Sequence, residues 1–216
     1  MSYAAFAQKF RAALVACLGA DKVVFMPGWD RPARSDCRAW RGKGGVPNCL
    51  FAHHTAGAPT TSTNPKHAGN RKGAGKGQVD FVQSHYDVPA ANFTLDRDGT
   101  VYVHSIFPVW HAGLGSFRGV PRFSTLGIPD DQANDYALGC EIVSKGIHPD
   151  FTAAQKWSWG YLAEACRRAS GWKGVWKRLP NHRTWAPTRK VDTRYELTSL
   201  RLWATRARAR LALLPH

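Results

Sequence analysis

Apolar side chains recur at three- and four-residue steps through Phe6, Phe10, Leu14, Cys17 and Leu18. This is the stripe of an amphipathic helix over Tyr3 to Leu18, which Gly19 ends. A short apolar run, Val23 to Phe25, is followed by Pro27, Gly28, Pro32, Gly42, Gly44, Gly45 and Pro47, which predicts a strand and then a long coil to Asn48. Cys49 to His53 is apolar, and a Thr-Ala-Gly-Ala-Pro segment follows His54, the pattern of a buried strand with His53 at its end. Phe93 and Leu95 alternate with polar neighbours, Asp96-Arg97-Asp98-Gly99 supplies turn chemistry, and Thr100 to His104 resumes the period of two; together they predict a hairpin. Tyr136 to Val143 is nearly continuous apolar sequence, as in a central strand covered on both faces, and Glu141 is the one acid within it.

Thr152 followed by Gln155 makes a capping box. It opens a helix whose stripe runs through Trp157, Tyr161, Leu162, Ala165 and Cys166 to a stop at Gly171. Val175 to Leu179 predicts a strand leading into Pro180-Asn181-His182, and Glu196 to Leu213 a final helix. That helix carries Leu200, Trp203, Ala207 and Leu211 on one side, with Arg201, Arg206, Arg208 and Arg210 elsewhere and solvated. No internal repeat and no linker between folded units interrupts the pattern. The expected class is mixed α/β, a central mixed sheet flanked by helices.

Composition adds a strong charge. The 216 residues hold 30 Lys and Arg against 15 Asp and Glu, a formal net charge of +15, yet 44% are hydrophobic and 12% aromatic. A disordered polycation is excluded, and the charge asks for an anionic partner such as nucleic acid, a membrane surface or a cell-wall polymer. No apolar run approaches the roughly 20 residues of a membrane span, and Lys9 and Arg11 split the start of the chain where an export signal would need an apolar stretch. The five cysteines form no Cys-x-x-Cys pair and are read as reduced and structural, with a Cys37 to Cys49 bridge as the minor alternative. The glycine-rich stretch Lys66 to Gly77 fails as a phosphate loop, because Asn70 stands where glycine and Gly77 where Ser or Thr is needed; it is a basic loop.

Chemistry concentrates in two places. His53 and His54 end an apolar strand, where alternation lets only one of them face a given site. His182 to Asp192 supplies an imidazole, a bend at Pro187, and Lys190 and Asp192 on one face of an extended segment. His182, Asp192 and one histidine of the first pair make three ligands, which leaves a zinc ion a fourth position for water; two histidines and a carboxylate form a hydrolytic set. Glu141, an acid in apolar surroundings, is either a general base of raised pKa or the partner of an arginine. Lys190 is either an oxyanion stabiliser or a surface lysine. His67, His148 and His216 sit in polar or terminal contexts and are expected to be solvated.

Five segments now stand in order: Leu50 to Gly57, Asp96 to Tyr102, Trp110-His111-Ala112-Gly113, Asn134 to Ile142, and His182 to Asp192. Over about residues 49 to 195 the chain resembles the type-2 N-acetylmuramoyl-L-alanine amidases, which share the fold of peptidoglycan recognition proteins and of bacteriophage T7 lysozyme. Its basic extensions and tryptophans are most similar to actinobacteriophage endolysins. The resemblance implies one zinc ion per chain held by His53, His182 and Asp192, with Glu141 and Lys190 as catalytic residues and His111 and His54 beside the substrate. Some members use a tyrosine just before the hairpin, where this chain reads Ala90-Ala91-Asn92-Phe93; the glutamate version is therefore expected. The implied organisation is an N-terminal extension over 1–48, a catalytic domain over 49–195 and a basic C-terminal helix over 196–216.

The implied function is hydrolysis of the bond between N-acetylmuramic acid and L-alanine by a monomeric lysin, with bacterial peptidoglycan as its partner. The lysin would be held in the host cytoplasm until a holin opens the way to the wall. Three other readings compete. A non-catalytic peptidoglycan-binding module is opposed by the complete ligand set. A nucleic-acid binder is opposed by basic residues spread over loops and termini and by the lack of a reading motif. A cytoplasmic amidase that recycles muropeptides fits the large positive charge less well.

Overall fold

The computed structural model describes every residue except 1, 57–75, 85–86, 147–148, 191, 194 and 214–216. Nearly all of the basic loop from Lys66, together with His67, His148 and His216, lies outside the described residues.

The expected helix forms as α1 (Tyr3–Leu18), opened by the Ser2 hydroxyl, which accepts from the Ala5 N–H, and closed at Gly19. A single 3-10 turn leads into β1 (Val23–Phe25). There follow β2 (Cys49–His54), α2 (Lys76–Ser84), the hairpin of β3 (Phe93–Leu95) and β4 (Val101–Val103), and two short helices, α3 (Pro121–Ser124) and α4 (Ala133–Tyr136). Next come β5 (Ala137–Ile142), α5 (Ala153–Ser170), α6 (His182–Trp185) and α7 (Leu197–Ala212). Both halves of the Thr152–Gln155 capping box are made, and α5 ends at Gly171, a left-handed residue with φ of 70°.

The five strands form one mixed sheet in the order β1-β4-β3-β5-β2. Only the β3–β4 hairpin is antiparallel; the other three pairings are parallel. Strand alternation sorts the side chains to two faces. Leu50 and Ala52 of β2, Leu138, Cys140 and Ile142 of β5, and Phe93 and Leu95 of β3 join α1, α5 and α7 in the larger core. Each such large apolar side chain stabilises the fold by about 1.5–3 kcal/mol. Cys49, Phe51 and Ala137 face the other way, against Phe117, Phe123 and Trp185. Helices α5 and α7 approach closely at Gly160, where an added Cβ would lie 2.5 Å from the Trp203 carbonyl oxygen.

Several expectations change. Val175 to Leu179 is not a strand; Leu50 and Ala52 N–H groups of β2 donate to the Arg178 and Pro180 carbonyls, and among the described residues the one isolated bridge joins Ala52 to Asn181. Pro180 itself has no N–H to extend a ladder. His182 begins a helical turn rather than an extended segment, because the Asn181 side chain accepts from the Thr184 N–H and caps it. Leu162, Ala165 and Cys166 are buried as expected, but Trp157 is exposed, and Trp159 and Ala163 complete the buried face of α5. Arg201 is buried, with its guanidinium over Phe123 and Trp176. All five cysteines are free and buried, so no Cys37–Cys49 bridge exists. Among the described residues no helix is long and apolar enough to cross a membrane.

Candidate metal centre and its groove

Residues His53 and Glu141 lie side by side in the β2–β5 register. His53 shares its face of β2 with Phe51, and Glu141 shares its face of β5 with Ala137, so both project on the side opposite the larger core. The cap of α6 turns His182 toward His53, and the loop that follows brings Asp192 beside both. The Nδ1 atoms of His53 and His182 are 2.9 Å apart, and Asp192 Oδ2 lies 3.4 Å from the first and 3.1 Å from the second.

The outer nitrogens decide what these inner atoms are. His111 Nε2 is 2.7 Å from the Ala137 carbonyl oxygen and must carry a proton to donate to it, which leaves His111 Nδ1 as an acceptor. His53 Nε2, 3.1 Å from that acceptor, is therefore the donor, and His53 Nδ1 presents a lone pair. His182 Nε2 donates to the Ala112 carbonyl at 2.8 Å, and in the neutral ring its Nδ1 then presents a lone pair too. Two lone pairs and a carboxylate oxygen converge with no proton of their own. Zinc bonds of about 2.0–2.2 Å in a tetrahedral shell place ligand atoms about 3.3 Å apart, close to the three separations observed. The three buried residues fit a metal ion.

Electrostatics agree with this arrangement. Burial, and then the neighbouring imidazole of His182, push His53 down to about 4, so its ring is neutral at pH 7. Burial acts to raise Asp192, but its hydrogen-bonding contacts with His182 and His53 outweigh it and hold the carboxyl well below its ordinary value. A proton on either Nδ1 would be gripped by that carboxylate, and a divalent cation satisfies all three atoms at once. Burial, and then the charge of Asp192, raise Glu141 to about 8 against the opposing influence of Lys190. Glu141 Oε2 is shut off from solvent with no hydrogen-bond partner, and no arginine pairs with Glu141, among the described residues. It is poised as a base rather than spent in an ion pair.

These residues border a cavity of about 420 Å³ lined by Glu141, His182, Lys190, Asp192, Trp110 and Arg189 among others. An adjoining one of about 470 Å³ shares Trp110, His182, Arg189 and Lys190 with it. Of the residues expected from sequence, the structure brings His53, His182, Asp192, Glu141 and Lys190 together. His111 lines both cavities, as expected of a residue beside the groove, and it is also buried with both ring nitrogens engaged, one at His53 and one at the Ala137 carbonyl. An added Cβ on Gly139 would lie 2.5 Å from the His111 ring, so glycine at that position makes its place. His54 borders the cavity, but its ring lies on the other strand face, against Gly146.

Two further contributors had no role assigned from the sequence, although Trp110 stands in one of its five segments. Trp110 is 40% exposed at the rim, with the Arg34 guanidinium 3.6 Å from its ring centre. Arg34, buried, is clamped by Asp36 and by Asp135. Nothing in the spacing of residues 34, 36, 110 and 135 signals this; it exists only once the coil before β2 folds against the domain.

The sheet, its helical layer and the groove define a mixed α/β protein with a cluster of two histidines and an aspartate, able to hold a metal ion, beside the ends of β2 and β5. Residues 43–195 match the family described as Amidase_2, N-acetylmuramoyl-L-alanine amidase, and the chain belongs to that family. No curated protein matches the chain. Among solved structures it is similar to a selenomethionine AmpD derivative, at 18% identity and a TM-score of 0.55, over 84% of this chain and 94% of that one. It is also similar to the Ph2119 endolysin of Thermus scotoductus MAT2119 bacteriophage Ph2119, at 15% identity and a TM-score of 0.47, over 84% and 98% respectively. A third is PGRP-Hd of Alvinella pompejana, at 17% identity and 0.49, over 77% and 90%.

Proposed function

We propose that this family member is a zinc-dependent N-acetylmuramoyl-L-alanine amidase that acts on intact peptidoglycan as a lysin. The observation that carries the reading is the convergence of three acceptor atoms, from His53, His182 and Asp192, beside a glutamate of raised pKa. One zinc ion per chain would be held by those three residues, and when bound it supplies Lewis acidity toward a carbonyl and a water molecule. Glu141 accepts the proton of the water that adds to the lactyl carbonyl carbon. Lys190 stabilises the negative charge that develops on the carbonyl oxygen. As the C–N bond breaks, Glu141 returns the proton to the departing L-alanine nitrogen, giving a carboxylate and a free amine. His111 keeps His53 in the tautomer that presents Nδ1. As a phage lysin, the protein would stay in the host cytoplasm until a holin admits it to the wall.

Digestion of purified peptidoglycan, followed by mass spectrometry of the soluble products, tests the reading. It predicts free stem peptides beginning with L-alanine and glycan strands left whole. Release of glycan fragments, or of nothing, would refute it.

A further inference from the structure

The helical layer on the far side of the sheet carries a second groove that the metal centre does not use. It is a cavity of about 160 Å³ between α5 and α7, lined by Ala153, Lys156, Trp157, Trp203 and Arg206. Trp157 is 46% exposed, stacks on Tyr161 and has the Arg210 guanidinium over its ring. Lys156 Nζ sits over the rings of Tyr195 and Trp203. The groove therefore sets cations against aromatic rings, with Trp157 still 46% exposed among them.

None of Lys156, Arg206 and Arg210 has a carboxylate partner among the described residues. α7 contains no acid, and Glu164, the lone acid of α5, is already held by Arg167 and Arg168. Cations gathered over aromatic rings without counter-charges among the described residues complement an anionic ligand with apolar ring faces. A pyranose ring stacks its C–H face on an indole, and a phosphodiester meets the cations.

We propose that this groove binds a phosphodiester-linked saccharide polymer of the bacterial wall. It would thereby anchor the chain to the wall while the metal centre, on the opposite face of the sheet, remains open to the peptide-bearing strand. The proposal rests on the reading of the protein as a wall hydrolase, but the binding needs no turnover.

The test compares the wild-type chain with a Trp157→Ala, Arg206→Ala double variant, both at exposed positions. Co-sedimentation is measured on purified wall sacculi with their phosphodiester polymers attached and on the same sacculi stripped by hydrofluoric acid. The expected result is roughly tenfold weaker binding of the variant to intact sacculi, salt-sensitive in the wild type, with no difference on stripped sacculi. Cleavage of a soluble muramoyl peptide should be unchanged in the variant. Equal binding of both proteins to intact sacculi, or the same loss on stripped sacculi, would overturn the proposal. So would a loss of binding confined to phosphatidylglycerol vesicles or to single-stranded oligonucleotide, run as parallel probes. Failure of both proteins to cleave the soluble peptide would instead count against the amidase reading and leave the binding result standing.

Discussion

Replacing His111 with Phe keeps a ring of similar size against Gly139 and removes two hydrogen bonds, at 2.7 Å to the Ala137 carbonyl and at 3.1 Å to His53 Nε2. Without an acceptor at its outer nitrogen, His53 gains by moving its proton to Nδ1, where Asp192 Oδ2 waits 3.4 Å away. The ligand lone pair is then lost in a fraction of the molecules, and the ion must displace a proton to bind. Loss of such a supporting partner weakens metal affinity by roughly 10- to 100-fold, or about 1.4–2.7 kcal/mol. Competition titration of the purified proteins with a chromophoric zinc chelator reads this directly. His111→Gln, whose amide oxygen can accept from His53 while its nitrogen donates to Ala137, should recover most of the affinity. Unchanged zinc affinity in His111→Phe would refute the tautomer chain. Equal weakening in the Gln variant would mean that packing, not the proton's position, is what His111 supplies.

Glu141→Gln should retain zinc and lose nearly all turnover, about 100-fold or more, as expected when a general base is removed; loss of metal would contradict its separate role. The same variant carries a pH signature in the metal-free protein. Glu141 is raised from 4.5 to about 8, so across that window the folded state holds a proton that the unfolded chain has released, and stability falls as pH rises. Urea midpoints for the wild type relative to Glu141→Gln should therefore drop between about pH 5 and about pH 8.5, and a flat difference would contradict the raised value. Arg34→Ala removes the support beneath Trp110, and steady-state kinetics should show KM about 2- to 10-fold higher with kcat little changed; Trp110→Ala should raise it at least as much. Gly160→Ala places a methyl against the Trp203 carbonyl and should destabilise the α5–α7 contact by about 1–3 kcal/mol in chemical denaturation.

Local pattern carried much of the architecture. The β3–β4 hairpin, the Thr152–Gln155 capping box and the left-handed Gly171 are each decided within a few residues, and each formed as its spacing implied. Strand alternation reduced His53 and His54 to alternatives, and the face shared with Phe51 separates them. What local pattern missed depends on contacts between distant segments. Leu162, Ala165 and Cys166 of the expected α5 stripe are buried, but Trp157 at its start is exposed and Trp159 takes the place against the core. Val175 to Leu179 has strand composition, yet the edge of β2 takes only the carbonyls of Arg178 and Pro180. Arg201 read as one more solvated arginine until Phe123 and Trp176 closed over it. Of the candidate metal cluster, the residue types that converge were legible; the contact of His111 with His53 was not, because it turns on which ring nitrogen faces the Ala137 carbonyl.

The most direct test measures metal and chemistry on one preparation. Zinc is quantified in the purified chain, and new L-alanine amino termini are counted on peptidoglycan before chelation, after it, and after zinc is restored. The account predicts one zinc ion per chain, loss of release on chelation and its return with zinc, and neither stoichiometry nor rescue in a His182→Ala variant. Full release from a metal-free chain, or stoichiometric zinc without any release, would contradict it.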